Sequence, residues 1–287
     1  MPKSILASLT GLGADRAVME AAMGVAKIDG GHVTCLHARI DVVETAAMVE
    51  VTFPQHHDGQ EALRRISREE AERGRRARDA FDSAIKQHNV PQAKEPGSAA
   101  PVTASWKETR SFFNETVEEA RYHDLTVMAR DPELSLERIK SVLMQSGRPL
   151  LLAPAKPLPT IARKIVIAWK AGAEAARALT AASPWLPGAE KVLVLSASRN
   201  EAGDDSDRLS AERLARSLSW RGIKAEVEMV YPGASSETHA LQNRAYDADA
   251  DLLVMGAYGH SRLREYVLGG VTENMLADCA IPILMFR

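Results

Sequence analysis

Two stretches decide the fold when they are set side by side: Lys3-Ser4-Ile5-Leu6-Ala7-Ser8-Leu9 and Arg163-Lys164-Ile165-Val166-Ile167-Ala168-Trp169. Each starts basic or polar, runs through a short apolar core, then passes into a small-residue loop and an Ala-rich helical pattern, residues 14–27 in one case and 173–183 in the other. The match continues outward. His32-Val33-Thr34-Cys35-Leu36-His37 answers to Lys191-Val192-Leu193-Val194-Leu195. An Asp-led run follows in each, Asp124-Leu125-Thr126-Val127-Met128 and Asp251-Leu252-Leu253-Val254-Met255. Each closes on a proline-led run, Pro149-Leu150-Leu151-Leu152 and Pro282-Ile283-Leu284-Met285-Phe286. Short continuous apolar strands alternating with helices indicate βαβ units and a parallel sheet covered on both faces. The expected fold is α/β: two tandem doubly wound, Rossmann-like open sheets of about five mainly parallel strands each.

Between the repeats, Ala153-Pro154-Ala155-Lys156-Pro157-Leu158-Pro159 cannot continue a helix or a central strand, because proline fixes φ and removes a backbone donor. This places one domain at 1–158 and a second at 159–287. The final strands of both would be exposed apolar edges if left alone, so the halves are expected to pack as an internal pseudo-dimer. A homodimer of the whole chain is compatible with this.

Composition removes several function classes. Lys+Arg is 36 and Asp+Glu 38, a net charge of -2, which argues against a nucleic-acid binder. Hydrophobic residues at 45% and charged at 26% fit a globular chain. No apolar run approaches the ~20 residues that span a bilayer, and the N-terminus lacks a signal-peptide pattern, so no membrane association and a cytoplasmic location are expected. Cys35 and Cys279 sit far apart in apolar segments and read as buried free thiols. Residues 61–86 form a helical pattern whose interleaved Arg and Glu make a solvated face. Residues 207–221 play the same part in the second half, stopped by Gly222. The segment 41–60 has no counterpart; its His56-His57-Asp58 reads as loop rather than metal site, since adjacent residues of a strand point to opposite sides.

The stretch with chemical content is Met255-Gly256-Ala257-Tyr258-Gly259-His260, continuing to Leu268-Gly269-Gly270-Val271-Thr272. Gly256 follows a buried strand, and Gly259 lets the backbone approach a ligand without a Cβ. Gly269-Gly270 precedes a helical pattern at 271–278, whose free amides and positive end suit an anion. Thr272 can cap that helix or donate to a phosphate. An ordinary Gly-rich turn and helix start is the competing reading.

On these residues the chain resembles the universal stress proteins in their tandem two-domain form. Gly256, Gly259 and Gly269 match the family's Gly-x2-Gly-x9-Gly-(Ser/Thr) signature, and Ala280-Ile281-Pro282-Ile283-Leu284-Met285 looks like its closing strand. The resemblance covers the second half well and the first in outline. It implies pairing through the final strand and an adenine nucleotide, usually ATP, optionally with Mg²⁺, across the strand ends. It implies that Ala168 and Ala197 lie against the base with Met255 beneath. Gly256, Gly259 and His260 would line ribose and phosphates, and Gly269, Gly270, Val271 and Thr272 would hold phosphate. Two positions depart. Gly270 stands where the family has Ser/Thr. Lys170 stands where members often carry an acid that contacts the adenosine, and lysine cannot accept a hydrogen bond. It can reach a phosphate as a point charge, or simply lie in solvent.

The first half departs further: Ala129-Arg130-Asp131-Pro132-Glu133 has no Gly-x2-Gly, and Gly147 reads as a helix C-cap. It is expected to be a degenerate copy without the phosphate motif. The expected function is a nucleotide-binding regulatory protein of stress response, with ATP in the second domain only. The alternative is a pseudo-dimeric scaffold that binds a partner and no nucleotide. An ATP-using enzyme is a third reading, with no catalytic residues to name: Glu265 and Glu273 are the carboxylates near the glycine motif, and weak ATP hydrolysis is the most it would support.

Overall fold

The computed structural model describes residues 2–39, 59–97, 100–110, 114–133, 135–157, 159–198, 205–233, 236–259, 270–277 and 280–287. Residues 41–58, with His56-His57-Asp58, and Cys279 lie outside them. In the first half β1 (Ser4–Leu9), α1 (Asp15–Asp29), β2 (Gly31–Arg39), α2 (Gly59–His88), β3 (Val102–Arg110), α3 (Glu115–Ala120), β4 (Leu125–Ala129), α4 (Glu137–Gln145) and β5 (Leu150–Ala153) follow one another. The second half repeats the series with β6 (Lys164–Ala168), α5 (Ala173–Ala182), β7 (Lys191–Ala197), α6 (Ser206–Ser219), β8 (Ala225–Val230), α7 (Glu237–Asp247), β9 (Leu252–Gly256), α8 (Gly270–Ala277) and β10 (Ile283–Phe286).

The strands make one ten-stranded sheet in the order β3-β2-β1-β4-β5-β10-β9-β6-β7-β8. Within each half all pairings are parallel. The halves join through β5 and β10, which run antiparallel with Leu151 opposite Leu284, Leu150 opposite Met285 and Leu152 opposite Ile283. This is the expected pseudo-dimer. All six of these side chains are buried, and each contributes about 1.5–3 kcal/mol relative to exposure.

The Asp-led repeat has a physical cause. Asp124 Oδ2 accepts the backbone N–H groups of Lys3 and Ser4 at 2.8 and 3.0 Å. Asp251 does the same for Arg163 and Lys164 at 3.2 and 2.8 Å. Each carboxylate thus satisfies amides at the amino end of the central strand beside it. Helix stops fall where the sequence places them: Gly147 (φ 68) just beyond α4 and Gly222 (φ 75) just beyond α6. At Gly222 the amides of Gly222 and Ile223 return to the carbonyls of Ser219 and Leu218, a Schellman closure. Cys35 is fully buried beside Met19, and burial pushes its thiol pKa up.

The two sheet edges are managed differently. Beside β3 the segment around Gln92 makes a bridge to Ala104, with Ala93 N–H donating to its carbonyl at 2.9 Å. β8 instead carries Glu226 and Glu228, paired with Lys191 and Arg244. Near the amino ends of β1–β3 lies a polar cluster. His123 meets Ser4 Oγ at 2.7 Å and Glu119 at 3.4 Å, and Glu119 also binds Lys107 at 2.6 Å. His32 sits between Thr103 and Ser105.

Candidate functional site

From β6 the chain builds outward to β7 and β8, then crosses back to β9 on the other side of β6. That reversal makes the carboxyl ends of β6 and β9 the switch point, where an open α/β sheet has its crevice. Ala168 and Met255 stand in register there, with Gly256 next. Ala168, Ala197 and Val271 pack on the same hydrophobic cluster as Met255. Lys170 is exposed beyond β6. Gly270 opens α8, and Thr272 is buried in its first turn. The fold therefore gathers Ala168, Met255, Gly256, Gly259, Val271 and Thr272 at one end of the sheet. His260 and Gly269 lie outside the described residues.

The turn after β9 is held by two constraints. A Cβ on Gly256 would stand 2.5 Å from Ala175 N and 2.7 Å from Glu174 C, so Gly256 is required by the close packing of α5 against the strand end. Tyr258 then takes a left-handed conformation, φ 54, uncommon for a bulky residue. Its N–H donates to Thr272 Oγ1 at 3.3 Å, tying the turn to the first turn of α8. Thr272 accepts that bond, and a hydroxyl keeps its own proton to donate.

Glu174 is a group the sequence reading missed. It lies in the first turn of α5, and its Oε2 would be 3.6 Å from a Cβ on Gly259 and 3.2 Å from one on Gly172. The carboxylates near the glycine motif thus include Glu174 as well as Glu273. A signal for it was available: its helix follows β6, whose carboxyl end opens on the crevice. Glu273 itself faces the first half. Lys140 Nζ of α4 lies 2.5 Å from Glu273 Oε1 and 3.0 Å from Glu137 Oε1. These two carboxylates raise the lysine pKa, Glu273 foremost.

The equivalent crevice of the first half lies at the ends of β1 and β4, and its own side chains occupy it. Asp15 is 3% exposed and accepts from Thr10 N at 2.7 Å, Thr10 Oγ1 at 3.0 Å and Gly11 N at 2.8 Å. Burial raises its pKa, against the opposing pull of those donors and of nearby His37. Gly11 has φ 74, and a Cβ there would meet the Arg73 carbonyl oxygen at 2.2 Å, so α2 lies directly on the loop. Arg73 pairs with Glu70 at 3.6 Å and Glu133 at 3.8 Å. Burial lowers the Arg138 pKa, opposed by the charges of Glu70 and Asp15. Asp131 Oδ1 caps the Glu133 amide at 2.9 Å in the turn after β4. Leu136-Glu137 stands where the second half has Gly269-Gly270.

Among the described residues no group of three or more His, Cys, Asp or Glu is placed to hold a metal. No described helix is long and apolar enough to cross a membrane.

The family model of the universal stress proteins matches residues 163–287. A universal stress protein of Synechocystis, Slr1230, is 41% identical over 70 residues, 24% of this chain and 23% of that protein's length. The crystal structure of a universal stress protein from Archaeoglobus fulgidus superposes with a TM-score of 0.69 at 13% identity, covering 99% of this chain and 98% of that one. A structure from Pseudomonas aeruginosa assigned to the same family gives 0.58 at 14% identity, covering 99% and 93%. Likeness at such low identity speaks to the fold, and it extends over both halves. By sequence the likeness to the universal stress proteins covers residues 163–287, and by fold it extends over the whole chain.

Proposed function

We propose that the chain is a nucleotide-binding regulatory protein of stress response. In this reading residues 1–158 and 159–287 are its two domains, and ATP binds in the second alone. One observation carries the reading: the two switch-point crevices differ in what fills them. In the second half, Gly259 has Glu174 Oε2 as the one described atom within 4 Å of its Cβ position. In the first, Asp15 takes the loop amides and α2 lies on Gly11. An adenine would lie against Ala168, Ala197 and Met255 near Lys170. The ribose and phosphates would follow Gly256, Gly259 and His260 to Gly269, Gly270, Val271 and Thr272. Mg²⁺ would accompany the nucleotide through its phosphates. The chain's own residues bind and orient; no catalytic residue is assigned.

Glu174 and the exposed Lys170 favour a second reading, a scaffold without nucleotide. A carboxylate beside Gly259 opposes phosphate, and a lysine cannot accept from adenosine. Mass spectrometry of small molecules released on denaturing the purified chain, followed by ATP titration, separates the two. The first reading expects ATP uptake that Gly259→Val abolishes, because a branched side chain would fill the backbone's approach to the phosphates. A wild-type chain that takes up no adenine nucleotide in either experiment supports the scaffold.

A further inference from the structure

The β5–β10 register defines a local pseudo-twofold axis through Leu151 and Leu284, which are 133 positions apart. The first residues of α4 and α8, Glu137 and Gly270, have the same separation. So do Lys140 and Glu273. They are equivalent residues of the two halves, and they meet as an ion pair of 2.5 Å. Two first halves joined by this seam would set Lys140 against Lys140; two second halves would set Glu273 against Glu273. The pair is complementary between unlike halves alone. Glu273 Oε1 is shielded from solvent, where an uncompensated negative charge is costly. The residue before it, Thr272, holds the Tyr258 amide of the glycine turn.

We propose that Lys140 is a positioning residue that the first half supplies to the phosphate cradle of the second. It neutralises a carboxylate in the first turn of α8, the turn where an anion is to bind. It also fixes that turn through a side chain three-quarters or more covered. The half without a phosphate motif thereby makes the other half's anion site electrostatically acceptable. The inference rests on the nucleotide reading above.

The test titrates Mg·ATP and AMP separately into the full chain by calorimetry, with thermal melts to verify folding. Lys140→Glu should weaken ATP by about tenfold or more, within the usual span of coupled sites, and AMP by less, because repulsion grows with ligand charge. The charge swap Lys140→Glu with Glu273→Lys should restore ATP to within about threefold of wild type. Lys140→Gln with Glu273→Gln, which removes both charges and suits a case where Lys140→Glu fails to fold, should bind ATP better than Lys140→Gln alone. A folded Lys140→Glu or Lys140→Gln chain that binds ATP as wild type does overturns the proposal and leaves the nucleotide reading standing. So does a loss that neither double variant rescues. A wild-type chain that binds neither nucleotide overturns both.

Discussion

The two crevices of this molecule have the same scaffold and opposite contents. Counting from the clamped residues Ser4 and Lys164, Thr10 in the first half is the equivalent of Lys170 in the second. Thr10 is bonded to Asp15 through both its amide and its hydroxyl, whereas Lys170 is exposed. Ala129 closes β4 where Gly256 closes β9. A loop that offers backbone amides at a strand end will take whatever anion is nearest. In the first half that anion is covalently part of the chain. The difference teaches that a strand-end loop can be satisfied by a carboxylate of its own chain with the scaffold left unchanged.

The largest effect expected from breaking this comparison is at Gly11. Gly11→Ala meets the Arg73 carbonyl and adopts a left-handed backbone, φ 74. Overpacking costs about 1–3 kcal/mol and the backbone about 1–2 more, so denaturant unfolding should show a loss of roughly 2–5 kcal/mol. Gly256→Ala has the clash with α5 without the left-handed penalty, and its loss should be about 1–3 kcal/mol. The two should part in function: ATP uptake falls with Gly256→Ala and survives in whatever fraction of Gly11→Ala stays folded. Equal loss in both would dissolve the asymmetry.

Next in size is Asp15→Ala, which leaves the amides of Thr10 and Gly11 without their acceptor. Stranded buried donors cost about 1–3 kcal/mol, so a loss near 2 kcal/mol is expected in urea. The melting temperature of the variant should then rise with added sulfate more than that of wild type. No extra response to sulfate would mean that the emptied loop is not an anion site at all.

Lys170 should matter less. If the crevice holds the adenosine there, Lys170→Asp restores an acceptor and strengthens ATP binding by about 1 kcal/mol. If the lysine serves a phosphate, the same change weakens ATP more than AMP, and salt weakens the wild type. Calorimetric titration of both nucleotides distinguishes these, and an unchanged affinity would remove Lys170 from the site.

The smallest effect concerns acid. Burial lowers the pKa of both His32 and His123; His123 further depresses His32, and Lys107 acts on His123 against Glu119 and Asp124. A histidine held below its ordinary value resists protonation in the fold but accepts it once unfolded. Its contribution is complete above about pH 6.5 and is lost as pH falls from there through the depressed value. The second half has Lys191 and Ala250 at the positions equivalent to His32 and His123. Melting temperature between pH 7 and 5 should therefore fall less steeply in a His32→Asn, His123→Asn chain than in wild type. Parallel slopes would disconnect the cluster from acid stability.

Much of this architecture was legible because its signals are local. The buried strands β1, β4, β6 and β9 are continuous apolar runs, and Asp124 and Asp251 mark their partners from outside. The edge strands β3 and β8 gave no such signal: Thr103, Ser105, Lys107, Glu226 and Glu228 alternate with apolar neighbours, as half-solvated strands do. The helix at 61–86 was visible, and it extends over Gly59–His88. That it would lie on Gly11 was not, since this depends on how α2 sits on the sheet. Glu174 and Lys140 share that obstacle. Each acts on residues far away in sequence, Glu174 on Gly259 and Lys140 on Glu273, and no spacing rule along the chain connects them.

The antiparallel seam between β5 and β10 has a consequence in solution. When two separate chains meet through such strands, their association is second order and weakens on dilution. Here a short proline-containing connection holds both partners in one molecule, so the seam re-forms by a first-order step at a local concentration set by the connection. The assembled sheet should therefore keep its melting temperature when the protein is diluted, down to the scarcity of a single copy in a cell, where a non-covalent pair would come apart.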